Sequence, residues 1–333
     1  MWHLDPISAT LKKWYRDNLI NNLAKRVWSE QLIAQYLMPG GDTDYSTLEH
    51  LLLDEPTALF ALNNRLMPLL IQGYNDAELD AYQKALNKKQ RNTTELLLVQ
   101  KYEFTLSLLI KIFDYQGQLS SNKSRSYHLT KEIGHNTCVY CNRQYAFNIE
   151  KEGGKNDCNR FARPALDHWF PKSVYPLLSL SIHNLIPSCT ICNSSAKGDT
   201  IFRLTTHVNP YTTTTNNPSW HFDFRRAIGG GWEVFLTGFA DTKESETAKA
   251  FFLKEAYQAH AELELNDTLE LALQNNGSYI PTLVKHVMNN VQGVSVEDAY
   301  RLIFGSEYDL GKQDKRPFSK LKRDILDVLK IKI

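Results

Sequence analysis

Apolar residues in the first third of the chain recur every three or four positions, which is the spacing of an amphipathic helix. This spacing predicts helices over residues 11–36, 57–71, 76–86 and 93–113. The last of these is the strongest, and Asn92 and Thr93 at its start are both residue types that cap helices. The polar stretch 116–125 predicts a connection rather than a helix.

The pattern changes character after about residue 130. Helical spacing is lost between 133 and 210, where cysteine, proline, asparagine and histidine concentrate. Segments 220–224 and 232–236 then alternate like two short strands. Helical spacing returns over residues 245–273, 296–304 and 319–329. These changes predict an α+β protein with three regions: a helical region 1–130, a central module 131–210, and a strand-then-helix region 211–333.

Composition narrows the class of protein. Hydrophobic residues make up 42% of the 333, which is ordinary for a globular chain and argues against disorder. The 38 basic and 37 acidic residues nearly cancel, so any nucleic-acid contact must be local. The sequence predicts neither a signal peptide nor a membrane helix. We therefore expect a soluble, cytoplasmic protein that does not contact a membrane.

Four of the five cysteines form two C-x-x-C pairs, Cys138 with Cys141 and Cys189 with Cys192, separated by 47 residues. Two such turns can close a tetrahedral zinc site, because each turn presents two thiolates toward one point. The spacing therefore predicts structural zinc. The alternatives are a redox motif, which would follow a strand of a βαβ unit, and two unrelated pairs of buried thiols. Cys158 has no partner in this pattern and is expected to be a free or buried thiol.

Residues that carry chemistry lie between and just after the cysteine pairs. In chain order they are Asp167, His168, Asn184, Asn193 and Lys197. Their order, with Asn184 before a leucine and Asn193 directly after the last cysteine, resembles the HNH endonuclease family. The resemblance covers residues 138–199, about a fifth of the chain. It implies a central ββα-metal module, with two strands, a metal-cradling loop and a helix, in a mostly helical protein.

The resemblance also implies a role for each of these residues. His168 would be the general base, which suits an imidazole because it titrates near neutral pH. Asp167 and Asn193 would hold a catalytic divalent metal, and Asn184 would fix the loop that orients the base. Many family members have histidine where this chain has Asn193. Hard oxygen ligands favour Mg²⁺ or Mn²⁺ as the catalytic metal.

Basic side chains around the motif are candidates for phosphate contact. Lys172 and Lys197 would meet the phosphate or the transition-state charge; the alternative is that both are ordinary solvated lysines. Arg143 and Arg163 could touch backbone phosphate. The basic stretch 312–332 could clamp DNA or form the solvated face of a terminal helix, and the sequence leaves both interpretations open.

Aromatic residues are frequent in the same module. Tyr140, Tyr145, Trp169 and Phe170 are expected to form its small core rather than surfaces on which bases stack. Between Cys138 and Arg203 the chain carries eight Lys or Arg residues against five Asp or Glu residues. This modest positive excess is compatible with nucleic-acid contact but does not require it.

The leading prediction is a metal-dependent DNA endonuclease. The residues around Cys138 and Asp167 are similar to the HNH nuclease subunit of Septu-type anti-phage systems, which works beside an ATPase. The resemblance therefore implies a defence effector that is held inactive until triggered, with DNA as substrate and an ATPase encoded nearby as partner. The chain has no P-loop sequence, so a nucleotide switch would lie in that partner. The alternatives are a non-catalytic zinc-stabilised binding module and an RNase using the same site; oligomer formation stays open.

Overall fold

Helices dominate the fold, and short two-stranded sheets lie between them. The computed structural model describes residues 1–151, 160–214, 218–274, 282, 285–286 and 295–331. The mixture of helices and short strands confirms the predicted α+β, mostly helical class. No helix in these ranges is both long enough and apolar enough to cross a lipid bilayer.

The first 133 residues fold into helices, several of which contact the long first one. In chain order they are α1 (Ala9–Trp28), α2 (Gln31–Leu37), α3 (Ser46–Leu53), α4 (Pro56–Leu70), α5 (Leu79–Leu86), α6 (Thr93–Phe113) and α7 (Lys123–Ile133). The pattern predicted a single helix over 11–36, but a break at residues 29–30 separates α1 from α2. The predicted bounds of α6 are confirmed. Asn92 and Glu95 form a capping box that fixes its start.

Two of these helices were not predicted. α3 is eight residues long, and α7 has a largely polar sequence, so neither shows apolar spacing over several turns. Local signals set the ends of α7 instead. The Asn122 side chain accepts a hydrogen bond from the Arg125 N–H at its start, and Gly134 ends it with a left-handed φ of 70°.

The central segment contains two antiparallel strand pairs. β1 (Ile149–Glu150) pairs with β2 (Arg160–Ala162), and β3 (Ala165–His168) pairs with β4 (Leu185–Ser188). The loop 169–184 joins β3 to β4 and contains the 3₁₀ turns Pro176–Leu178 and Ile182–Asn184. A π-helical turn, Ile191–Lys197, follows β4. The candidate site residues therefore lie on β3, at the end of this loop and on this turn.

The N-terminal helices hold the loop 169–184 in place. The Phe60 ring on α4 stacks on Phe170 with the ring centroids 5.3 Å apart. The Tyr15 hydroxyl on α1 donates a hydrogen bond to the Leu180 carbonyl at 2.9 Å. Because both contacts reach into the loop from helices far away in sequence, the N-terminal region helps to shape the central site.

The C-terminal part begins with the two predicted strands, β5 (His221–Arg226) and β6 (Trp232–Thr237), which pair as an antiparallel hairpin. Its turn contains Gly229, Gly230 and Gly231, all with positive φ. The helical elements that follow are α8 (Thr242–Ala250), α9 (Leu253–Gln258), the π-helical turn Ala261–Leu265, α10 (Asn266–Gln274), α11 (Val296–Phe304), the 3₁₀ turn Leu310–Lys315 and α12 (Ser319–Val328). The single helix predicted over 245–273 is wrong, since Phe252 breaks it with a φ of 48°.

One hydrophobic core runs through most of the described chain. It contains Tyr15 from the predicted N-terminal region, Phe170 from the central module and Trp220 from the C-terminal region. A second, smaller cluster forms around Tyr300 and Phe304. The domain boundaries at residues 130 and 210 stay a prediction, and side chains pack continuously across both.

Candidate metal centre and adjoining polar site

The four paired cysteines converge in the interior of the protein. Their sulfur atoms all lie within 4.8 Å of one another, and those of Cys141 and Cys189 are 3.9 Å apart. Zn–S bonds of about 2.3 Å place the sulfurs of a tetrahedral site about 3.8 Å apart. All four residues are buried. The cluster can therefore bind a structural metal such as zinc, and the alternative of two unrelated thiol pairs is wrong.

Tight turns bring the two sulfurs of each pair together. In the first turn the Asn142 N–H donates to the Cys138 carbonyl at 2.8 Å, and Asn142 adopts a left-handed φ of 50°. Asparagine tolerates this conformation better than most residues. In the second turn the Asn193 N–H donates to the Cys189 carbonyl at 3.0 Å, and the Cys192 N–H donates to the Cys189 sulfur at 3.4 Å. Such N–H groups favour a thiolate at that sulfur.

Ionisation of the four thiols depends on a bound cation. The four cysteines are free of disulfides. Burial raises the pKa of the Cys138 thiol, because a buried thiolate loses its hydration. Thiolates this close repel one another, so the ionised cluster is stable only around a positive ion. Four thiolates leave no open coordination position, and a metal held there would be structural. Cys158 lies outside the described residues.

The Asp167 carboxylate lies beside this cluster and has two hydrogen-bond donors. The Tyr140 hydroxyl donates to Oδ2 at 2.6 Å, and the Lys197 ammonium lies 3.3 Å from Oδ1. Lys197 also donates to the His168 carbonyl at 2.6 Å. Asp167 and Lys197 are each only 2% exposed, so they form a buried ion pair. The interpretation of Lys197 as a solvated lysine is therefore wrong.

His168 is the next residue on β3, and its side chain has different neighbours, as strand alternation predicts. Its Nε2 lies 2.9 Å from the Ser179 carbonyl, and the Tyr115 ring meets the imidazole edge-on at 4.3 Å. A carbonyl can only accept, so Nε2 carries the proton and Nδ1 has the free lone pair. Burial lowers the pKa of His168 to about 3, and the imidazole is therefore neutral at physiological pH.

Asn184 ties together the two ends of the loop that carries the Ser179 carbonyl. Its Oδ1 accepts a hydrogen bond from the Phe170 N–H at 2.6 Å. Its Nδ2 donates to the Phe170 carbonyl at 3.0 Å and to the Leu178 carbonyl at 2.9 Å. The side chain is completely buried. Because Leu178 precedes Ser179, these bonds also fix the partner of the His168 imidazole.

Asn193 and Asp167 offer the hard oxygen atoms that Mg²⁺ or Mn²⁺ takes. The Lys197 ammonium, however, faces Asp167 Oδ1 in this structure. Apart from the four cysteines, no group of three or more His, Cys, Asp or Glu side chains converges within the described ranges. These oxygens therefore fit the chemistry of a divalent cation, but such an ion can reach Asp167 only after Lys197 has moved.

The other basic candidates around the motif have neutral partners. Arg163 donates to the Ser120 and Pro164 carbonyls, and Arg143 contacts the His260 imidazole at 3.2 Å. The Lys172 ammonium lies over the Tyr115 ring, 5.2 Å from its centroid. Among the residues that the structure describes, none of these three cations has a carboxylate partner, so they can still attract phosphate.

Some of the remaining predictions for aromatic and basic residues are confirmed, and others are wrong. Tyr140, Trp169 and Phe170 are buried as expected, but the core assignment of Tyr145 is wrong because its side chain is 54% exposed. Within the basic stretch 312–332, Lys320 is 1% exposed and pairs with Asp324 at 2.7 Å. For Lys320, both the DNA clamp and the solvated helix face are therefore wrong. Lys332 lies outside the described residues.

Three groups at the site escaped the sequence analysis. They are the Tyr140 hydroxyl, the Tyr115 ring and the Ser179 carbonyl. The position of Tyr140 inside the first C-x-x-C pair was a usable signal, because any residue there must lie beside the cluster. Tyr115 precedes His168 by more than fifty residues, and nothing in its surroundings points to that histidine.

The chain was compared with models of protein families, with curated proteins and with solved structures, and none of them matches it.

Proposed function

We propose that this protein is a metal-dependent endonuclease of the HNH type that hydrolyses DNA phosphodiester bonds. One observation supports this most strongly: a neutral imidazole, His168, is anchored on a backbone carbonyl directly after the buried carboxylate of Asp167. Asp167 is linked through the Tyr140 hydroxyl to the first pair of a cluster of four cysteines that can hold zinc. A base, an oxygen ligand and a rigid support are the parts that such hydrolysis requires.

In this proposal His168 is the general base. Its Nε2–H donates to the Ser179 carbonyl, which leaves Nδ1 to accept the proton of an attacking water. Burial lowers the pKa of His168 to about 3, so the site must open and hydrate the imidazole before it becomes an effective base. Asn184 keeps the loop rigid and thereby sets the direction of the imidazole. A divalent cation held by Asp167 and Asn193 would stabilise charge on the phosphate and on the leaving oxygen. The uncompensated charges of Lys172 and Arg163 lie nearby and would attract the DNA backbone.

The present arrangement corresponds to a resting form. His168 is only 8% exposed under the Tyr115 ring, and Lys197 occupies the side of Asp167 that a cation would need. Both groups must move before water, phosphate and metal can meet. This closure supports the proposal of a defence effector held inactive until triggered. The proposed trigger is an ATPase encoded nearby, a partner that only the resemblance implies.

A second candidate is a zinc-stabilised module that binds nucleic acid or protein without cleaving it. The same closure favours it, since a carboxylate engaged by both Tyr140 and Lys197 is also an ordinary buried structural group. The two candidates differ in whether a metal-dependent cleavage activity exists at all. An RNase using the same site differs only in its substrate.

The test is a cleavage assay on zinc-loaded protein with plasmid, linear and single-stranded DNA and with RNA, alone and with the neighbouring ATPase. Each substrate is incubated with Mg²⁺, Mn²⁺ or EDTA. His168→Ala should lower the rate at least about 100-fold, which is the usual contribution of a general base. His50→Ala is the matched control, because His50 is an exposed histidine paired with Asp54.

The outcomes separate the candidates. Equal cleavage by wild type and His168→Ala would contradict the catalytic assignment. Binding without cleavage under every condition would favour the non-catalytic module. Cleavage of RNA but not DNA would keep the site and replace the substrate.

A further inference from the structure

We infer that Tyr140 is a positioning residue that couples the four-cysteine cluster to the Asp167 carboxylate. The inference rests on the proposed function and deepens it. It gives the structural metal an influence on the carboxylate of the proposed active site, through one hydroxyl group. The residue that would position the carboxylate is the tyrosine within the first C-x-x-C pair.

The backbone and the ring of Tyr140 are both held in place. It lies between Cys138 and Cys141, so the turn around the cluster sets its backbone. Its carbonyl accepts a hydrogen bond from the Trp2 indole at 3.0 Å. Its ring stacks on Phe251 with centroids 4.0 Å apart and planes 20° apart. The hydroxyl therefore has a definite position relative to the sulfur atoms.

The hydroxyl transmits this position to Asp167. Its distance of 2.6 Å to Oδ2 lies in the range of a strong hydrogen bond to an ionised acceptor. With Oδ2 held by Tyr140, the other oxygen, Oδ1, is directed toward Lys197. Oδ1 is thus the oxygen that can exchange the ammonium for a divalent cation. Without the hydroxyl, Oδ2 loses this partner, and Lys197 alone orients the carboxylate.

The coupling must act in both directions, because linkage between two sites is reciprocal. Loss of the metal would loosen the turn that carries Tyr140 and would release Asp167. Conversely, a change at Asp167 would alter how firmly the cluster holds its metal. Lys197 also contacts Asp167, but its path does not pass through the tyrosine hydroxyl.

A matched pair of substitutions tests the inference in the cleavage assay. Tyr140→Phe removes the hydroxyl bond to Asp167, whereas Tyr257→Phe removes another buried hydroxyl bond to the same turn, from Tyr257 to the Cys141 carbonyl at 2.6 Å. Both variants should keep one zinc per chain. Tyr140→Phe should lower kcat about 10- to 100-fold, the effect of one lost bond to a charged group. KM for DNA should stay unchanged, and the Mn²⁺ concentration for half-maximal activity should rise. Tyr257→Phe should stay within about twofold of wild type.

A second measurement does not need nuclease activity. Zinc release to a coloured chelator is timed for wild type, Asp167→Asn, Tyr140→Phe and the double variant. Asp167→Asn should speed release when residue 140 is tyrosine and have a smaller effect when it is phenylalanine. Effects that travel through Lys197 are common to both backgrounds and cancel in this comparison.

The failures are distinguishable. Equal kcat values for Tyr140→Phe and Tyr257→Phe in an active protein would overturn the inference, as would equal effects of Asp167→Asn in both backgrounds. If wild type cleaves nothing while the zinc-release coupling is present, the proposed function fails and the coupling of Tyr140 to Asp167 stands.

Discussion

Replacement of Asn184 by alanine tests the loop that holds His168. The Asn184 side chain is fully buried and makes three hydrogen bonds to the backbone of Phe170 and Leu178. Asn184→Ala leaves the buried N–H and carbonyl of Phe170 without partners, and each costs about 1–3 kcal/mol. The Leu178 carbonyl loses one bond, worth about 1 kcal/mol, and keeps the bond from the Ser181 N–H at 3.1 Å. Local relaxation recovers part of this. We therefore expect the free energy of unfolding to fall by about 3–5 kcal/mol.

Thermal unfolding of the zinc-loaded protein measures this loss. An unfolding entropy of about 2.1 cal/mol/K per residue gives about 0.7 kcal/mol/K for 333 residues. The expected fall in Tm is therefore about 4–7 °C. Asn193→Ala is the matched control, because Asn193 is half-buried and its described hydrogen bond, to Cys189, comes from the backbone. Its Tm should change by less than about 1 °C.

The same two variants separate stability from activity. If the proposed function holds, Asn193→Ala should lose metal-dependent cleavage at a temperature where it is fully folded, because it removes a proposed metal ligand. A Tm for Asn184→Ala within about 1 °C of wild type would refute the structural reasoning. It would mean that the three hydrogen bonds do not hold the loop.

Two further predictions concern the metal and the pH dependence of stability. Purified protein should contain one zinc per chain by elemental analysis, and Cys189→Ser should lose it. At a thousandfold excess of zinc over Kd, loss of the metal would remove about 4 kcal/mol of stability. Unchanged zinc content in the variant would contradict the site. Burial lowers the pKa of His168 to about 3, below the value of about 6.5 in the unfolded chain. The unfolded state then binds the extra proton, so this contribution to stability is complete above pH 6.5 and is lost as the pH falls toward 3. In denaturant melts, His168→Gln should lose about 2 kcal/mol less than wild type between pH 7 and 4.5, and parallel curves would show that His168 is not buried as a neutral group.

The sequence could predict features whose signals are local or repeated. The bounds of α6 could be predicted because regular apolar spacing follows Asn92 and Thr93, two residue types that cap helices, and the structure shows Asn92 as the cap. The convergence of the cysteines was predictable because two C-x-x-C turns present four thiolates to one ion. The roles of Asp167 and His168 came only from a resemblance, and they remain proposals.

Features that depend on tertiary packing could not be predicted from the pattern of apolar and polar residues. Lys320 and Asp324 are four residues apart on a helix, which usually indicates an exposed pair. They are buried because β5 packs on that helix, where the Phe222 N–H donates to Asp324 at 2.8 Å and Lys320 donates to the Trp220 carbonyl at 3.1 Å. Burial of this pair depends on strand residues about a hundred positions away, so no local window of sequence contains it.

Because side chains alternate along β3, the neighbouring residues Asp167 and His168 contact different parts of the protein. Asp167 faces Tyr140 and Lys197, and both belong to the segments that also carry the cysteines. His168 faces Tyr115 and the loop carbonyl of Ser179, which the N-terminal helices hold. A change at the metal cluster would therefore reach the carboxylate first, whereas a change in the N-terminal helices would reach the imidazole first. Since the proposed chemistry needs both groups at once, either change alone would be enough to prevent it, and a trigger of that chemistry would have to act on both faces of the strand.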